Sequence, residues 1–138
     1  MARKKKGQNK GRFAGIPILI METQAYVELS NPAKVLLLEL SAQYNGSNNG
    51  YLSLTRDDLK LRGFPTPNVV TKSIKELLDG NFISQTRFGG LCYGRSYCSL
   101  YAVNWQPLDE RIDKPFEVKI LIKLGFINEF VNGSKPVK

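Results

Sequence analysis

The sequence predicts an α+β fold, a small helical core followed by a β-hairpin, and three observations predict it. The stretch Thr66 to Gly80, TPNVVTKSIKELLDG, carries a helix start, a helix stop and two faces of opposite chemistry. A shorter helical stretch ends at Gly63, just before it. After it come two strand-like stretches separated by a glycine-rich one.

In the first of these, Thr66 is placed to cap free N–H groups and Pro67 suits the first helical position, where its missing N–H would be unpaired in any case. Gly80 stands where a left-handed residue closes a helix. Val70, Ile74, Leu77 and Leu78 recur at spacings of three and four, giving one apolar stripe. The opposite face presents Asn68, Thr71, Lys72 and Lys75, with no acid before Glu76. Such a face also belongs to any solvated surface helix, so its neighbours decide the reading.

Residues 1–12 are Lys, Arg, Gly, Asn and Gln with almost nothing apolar, and read as a disordered arm. Phe13 to Met21 begins the ordered chain, with Pro17 keeping its start extended. Thr23 caps a short helix through Ala25, Tyr26 and Leu29, and Ser30 caps a stronger one from Asn31 to about Tyr44. Val35, Leu36, Leu37, Leu38, Leu40 and Tyr44 make that helix apolar on most sides, which predicts a central place in the core. Asn45 to Gly50 is a run of turn formers and reads as a loop. Tyr51 to Leu54 is a short strand, Thr55 a cap, and Arg56 to about Arg62 a helix ended by Gly63, with Pro65 forbidding its extension. Beyond Gly80, Phe82 to Arg87 is a strand, Phe88 to Tyr97 a flexible tip, and Cys98 to Trp105 the returning strand.

Two helices joined by a tight turn, the second polar outward, form a helix-turn-helix pattern. The order helix, strand, helix, turn, helix, strand, loop, strand is the winged-helix arrangement, with residues 82–105 as the wing. The expected organisation is a basic arm over 1–12, a winged-helix domain over 13–109, and an apolar C-terminal extension over 110–138. In that extension Phe116, Val118, Ile120, Ile122 and Leu124 alternate like a strand, while Ile120, Leu121, Leu124, Ile127 and Val131 suit a helix. Either way it reads as an element that packs on its own domain or forms a homodimer, with a tail that binds a separate partner protein as the other reading.

The net charge of +8 is unevenly placed. Arg3, Lys4, Lys5, Lys6, Lys10 and Arg12 put +6 into residues 1–12, whereas residues 13–104 hold eight basic and seven acidic side chains. A basic arm on a nearly neutral body is the usual design of a tail that follows phosphates, or of a solubilising extension. The chain has no histidine and two cysteines, Cys92 and Cys98, which cannot supply the Cys and His ligands of a structural zinc site or a Ser-His-Asp or Cys-His catalytic group. No phosphate-binding glycine loop is present, and the carboxylates are scattered with no pair that invites an acid–base mechanism, so no catalysis, cofactor or small-molecule substrate is expected. The apolar run IPILIM is too short for a membrane span and lacks a small-residue cleavage site, so no membrane association and a cytoplasmic location are expected.

Residues 13–109 resemble the winged-helix proteins coded on bacterial plasmids, phages and other mobile elements. LSNPAKVLLLELSAQYNGSNNG, SLTRDDL, GNFISQTR and YAVNWQPLD carry the likeness together with the Pro67–Asp79 helix. The resemblance implies a regulator of transcription or a plasmid or phage replication factor that binds double-stranded DNA. Asn68 and Thr71 then face base edges, while Thr66, Lys72 and Lys75 meet base edges or flanking phosphates. Arg87 and Arg95 reach backbone or minor groove. An RNA-binding module, and a protein-interaction module of a replication or transfer complex, are the other readings of the same face.

Overall fold

The computed structural model describes residues 11–64, 66–92 and 95–117. The described residues form a mixed α+β arrangement of five helices and two small antiparallel sheets. The helices are α1 (Ile18–Met21), α2 (Gln24–Val27), α3 (Asn31–Gln43), α4 (Arg56–Leu61) and α5 (Pro67–Asp79). The strands are β1 (Leu52–Ser53), β2 (Ile83–Arg87), β3 (Gly90–Cys92), β4 (Arg95–Tyr97) and β5 (Leu100–Val103). The first sheet has the order β1-β5-β2 and the second is the β3-β4 hairpin. The arm over 1–10 and the apolar stretch from 118 onward lie outside the described residues.

The caps fall where the sequence places them, with one exception. Thr23, Ser30 and Thr55 each accept a bond from a backbone N–H three residues on, at Tyr26, Ala33 and Asp58. Thr66 is the N-cap of α5, but its side chain makes no capping bond. Pro67 already removes one of the orphan N–H groups there. Gly63 adopts φ +96°, and Phe64 N–H bonds to Leu59 C=O across it, the closure that lets α4 stop one turn short of α5.

The far end of α5 corrects the expectation for Gly80. Gly80 stays at φ −84°, and the left-handed residue is Asn81 at φ +62°, with Phe82 N–H bonding back to Leu77 C=O. Asparagine tolerates that region better than most residues. Glycine is needed one place earlier for room: a Cβ on Gly80 would stand 2.6 Å from the Phe82 ring.

The core is one cluster. Leu36, Leu37 and Leu40 of α3 meet Val70 and Leu77 of α5, with Leu52, Leu59, Phe82, Ile83, Tyr101, Val103 and Trp105 closing around them. The helix α3 is central as predicted, yet its apolar residues are not buried on most sides. Val35 and Leu38 are 45% and 47% exposed, because α5 and β1 cover only the other face. Glu76 ties α5 to α3 at a second point. Its carboxylate accepts from Ser30 N–H at 3.0 Å and Ser30 Oγ at 2.6 Å. These two bonds, with a smaller contribution from Lys72, hold the Glu76 carboxyl below its ordinary pKa.

The hairpin differs from the expected pair of long strands around a flexible tip. The tip region forms its own ladder, Gly90 opposite Tyr97 and Cys92 opposite Arg95, and β5 begins only at Leu100. The break comes from a bulge between Gln85 and Arg87. Thr86 turns into the core and donates to Gly50 C=O. Ser99 Oγ then accepts from Gly89 N–H at 2.8 Å, a backbone group outside the ladder, and from the Gln85 side-chain Nε2 at 3.1 Å. At its other end β5 stops at Val103 rather than Trp105, where the Asn104 side chain bonds to Asn81 C=O and Ser84 Oγ.

The Asn45–Gly50 loop is less passive than its composition suggests. Asn49 is fully buried and its amide holds the chain after β5 in place. Its Oδ1 accepts from Val103 N–H at 2.8 Å, and Nδ2 lies 3.0 Å from the carbonyls of Val103, Gln106 and Pro107. Residues 110–117, assigned from sequence to an extension, continue this packing: Phe116 stacks on Tyr51 at 5.2 Å, and Arg111 N–H donates to Tyr51 Oη.

Candidate nucleic-acid interface

The outer face of α5 is set by the burial of its inner one. Val70, Ser73 and Leu77 are sealed against the core, so Asn68, Thr71, Lys72 and Lys75 are all turned to solvent, at spacings of three and four. A helix held on one side by a packed core presents such groups in fixed positions, which is what reading a base edge requires.

The structure separates these residues into different circumstances. Asn68 and Thr71 are exposed, one turn apart, as an amide and a hydroxyl beside each other. Lys72 makes no ion pair with any described residue. Lys75 is paired with Asp79 at 2.7 Å, and this bond raises the lysine pKa. In sequence Lys75 is followed by Glu76 and, one turn on, by Asp79; the structure turns Glu76 inward to Ser30 and pairs the lysine with Asp79.

Thr66 and Thr71 line an open cleft of 860 Å³ between α4, the start of α5 and the β1-β5 side of the sheet. Phe64, Val70, Ile74 and Tyr101 form its apolar floor. Burial pushes the Tyr101 phenol above its ordinary pKa, so this hydroxyl stays neutral. Asp57 and Lys60 of α4 also line the cleft and place one charge of each sign on its rim.

Two of the predicted arginines have their places fixed by the fold. Arg87 is half-buried at the hairpin base, where its Nε and Nη2 both donate to Cys98 C=O, at 3.0 and 2.7 Å. It is a staple across the break between the two sheets. Arg12, read with the arm, lies at the end of α3 and donates to the carbonyls of Ala42 and Tyr44 at 3.3 Å. Those are orphan carbonyls at the negative end of a helix dipole, and a guanidinium suits them. Arg95 belongs to β4, on the far arm of the hairpin from Arg87. Arg3, Lys4, Lys5, Lys6 and Lys10 lie outside the described residues.

Sequence reasoning missed Ser99, which organises the hairpin base, and the polar work of Glu76. A signal for Glu76 was present: an acid one turn from the end of an amphipathic helix, on the edge of its apolar stripe, with a Ser-Asn-Pro helix start elsewhere needing an anion. For Ser99 there was none.

The electrostatic balance is now definite. Residues 11–117 hold eleven basic and eleven acidic side chains, so the described body is neutral and the excess charge lies outside it. Among the described residues there is no group of His, Cys, Asp and Glu able to hold a metal ion, and no helix long and apolar enough to cross a membrane. No protein family, curated protein or solved structure matches the chain.

Proposed function

We propose that this protein is a non-catalytic, winged-helix DNA-binding protein, a transcriptional regulator or a plasmid or phage replication factor, that reads duplex DNA with α5. The observation that carries the reading is the exposed row Asn68, Thr71, Lys72 on a helix whose other face is locked into the core. The helix-turn-helix of α4 and α5, followed by the β2–β5 strands and their hairpin, agrees with it in order and spacing. Asn68 pairs with adenine through its amide, Thr71 stands beside it, and Lys72 meets phosphate. Lys75 contributes after leaving Asp79, and Arg95 on the hairpin reaches the flanking backbone. Arg87 and Arg12 serve the fold, which leaves the cations of residues 1–10 as the main source of phosphate affinity.

The deciding experiment is duplex binding after selection of a preferred site. Asn68→Ala is expected to cost about 1–3 kcal/mol on that site and to relax base choice there. Lys72→Ala is expected to weaken all sequences alike. Two variants with wild-type affinity for the selected site would refute the assignment of α5.

A second reading rests on the neutral charge of residues 11–117: the α5 face meets a protein rather than DNA. It predicts a stable heterocomplex lost in Asn68→Ala, with no duplex binding by the intact chain above that of its arm alone.

A further inference from the structure

A second hollow, of about 200 Å³, lies at the C-terminal end of α3, and no described residue of α5 lines it. Phe13, Tyr44 and Trp105 turn three aromatic rings to it, alongside Ser41 and Gln106. Among the described residues none of these rings stacks on another ring, so their faces are free for a ligand. Phe13 is 85% exposed, whereas Trp105 is only 7% exposed.

The polar groups around the hollow lack partners. A buried indole ordinarily finds one. The Trp105 indole N–H makes no hydrogen bond among the described residues, yet none of their unpartnered side-chain polar atoms is sealed in the interior. An N–H on a side chain more than nine-tenths buried therefore opens on the hollow that its ring lines. The Gln106 amide and the Tyr44 hydroxyl are also without partners among the described residues. Burial, and then the charge of Asp109, push the Tyr44 phenol above its ordinary pKa and keep its proton in place. Arg12 stands beside the hollow. Its Nη2 donates to the carbonyls of Ala42 and Tyr44, which leaves Nε and Nη1 free to donate.

These features select a ligand. Pockets for drug-sized molecules run from about 300 to 1,000 Å³, so this hollow admits little more than one flat ring system. Free aromatic faces favour a ring that stacks. Aromatic hollows also take organic cations. This one instead directs an N–H donor inward beside a guanidinium, and the nearby Asp109 carboxylate is taken by Asn49 N–H. An aliphatic ligand would leave the indole N–H and the amide unpaired. A nucleobase brings two π faces, a rim of acceptors and donors for Trp105 and Gln106, and a phosphate, through its sugar, for Arg12.

We propose that the hollow bounded by Phe13, Tyr44 and Trp105 is a binding site for a single unpaired nucleobase, with Arg12 receiving the phosphate on its sugar. A base paired within a duplex cannot enter it, so the site is separate from the α5 reading and stands whether or not that reading holds. The base comes from a free nucleotide or from a single strand, and the chemistry of the two is the same.

Trp105 is the sole tryptophan of the chain, so its fluorescence and its indole N–H resonance report on this site. The probes are adenosine monophosphate, adenosine, inorganic phosphate and a short single-stranded oligodeoxyadenylate, each titrated into the full chain. Saturable quenching and a shift of the indole N–H resonance are expected with the mononucleotide, weaker binding with adenosine, and no response to phosphate. Phe13→Ala is expected to weaken the mononucleotide about tenfold with Tm unchanged, the loss of one stacking partner. Arg12→Gln is expected to erase the margin of nucleotide over nucleoside. Tighter binding of the oligonucleotide than of the mononucleotide assigns the base to a strand, and a response to the mononucleotide alone assigns it to a free nucleotide; either upholds the site. No saturable response to the mononucleotide or the oligonucleotide overturns it. So does undiminished affinity in Phe13→Ala, equal affinity for nucleotide and nucleoside, or a response to inorganic phosphate as large as to the nucleotide.

Discussion

Replacing Asn49 with alanine tests the fold where it is most concentrated. The side chain is fully buried, and its Oδ1 satisfies Val103 N–H while Nδ2 serves three carbonyls with two hydrogens. Alanine leaves Val103 N–H with no partner in a dry site, a cost of about 1–3 kcal/mol. The stranded carbonyls and the small void bring the expected loss to about 3–5 kcal/mol. A domain of this size loses roughly 4 °C of melting temperature per kcal/mol, so Tm is expected to fall by roughly 10–20 °C. Thermal unfolding followed by circular dichroism measures it. Asn48→Ala is the control, since the Asn48 side chain bonds to Gln43 C=O and Asn45 N–H at the surface, and a loss of at most about 1 kcal/mol is expected. Asn49→Asp sharpens the reasoning. Its carboxylate would face carbonyl oxygens, so its folded pKa is raised and the protonated form regains a donor. That variant is therefore most stable below the ordinary carboxylate pKa and loses stability as pH rises. An Asn49→Ala protein melting within a few degrees of wild type would refute this account, as would an Asp variant whose destabilisation ignores pH.

Two other outcomes follow from single contacts and a third from the charge of the arm. Glu76 has a lowered folded pKa, so its contribution is present above the unfolded carboxylate value near 4.3 and lost as pH falls through the folded value. Glu76→Gln should accordingly melt below wild type at pH 7 and converge with it as pH falls through the folded value, and parallel curves would contradict the Ser30 pairing. Arg12→Ala should destabilise the body slightly by freeing the carbonyls of Ala42 and Tyr44, without altering the salt dependence of DNA binding. Deleting residues 2–10 removes Arg3, Lys4, Lys5, Lys6 and Lys10 and should flatten the slope of log affinity on log salt by about 4, leaving sequence preference and Tm intact. An unchanged slope would reduce the arm to a solubilising tail.

The sequence by itself determined the elements whose causes are local. The helix Pro67–Asp79 was legible to the residue because a proline start, an apolar stripe and a glycine stop lie within one stretch. Three of the four threonine and serine caps, and the turn at Gly63, were legible for the same reason: a side chain or a φ angle acts within three residues of itself. The polar outer face of α5 followed from the stripe on its inner one.

Tertiary structure alone decided what depends on partners far along the chain. Asn49 was one of several turn formers until Val103 and Pro107, more than fifty residues away, gave its amide a buried role. Glu76 is bound inward because the start of α3 offers it two donors, and Asp79 holds Lys75. Arg87 and Arg12 carried the same charge in sequence as any phosphate contact, and only packing showed them donating to the protein's own carbonyls. The left-handed residue is Asn81, and Gly80 is required instead because the Phe82 ring fills the space its Cβ would take. A cation or an amide is equally suited to a base, a phosphate or a backbone carbonyl, and which it meets is a matter of position in space, which spacing along the chain does not encode.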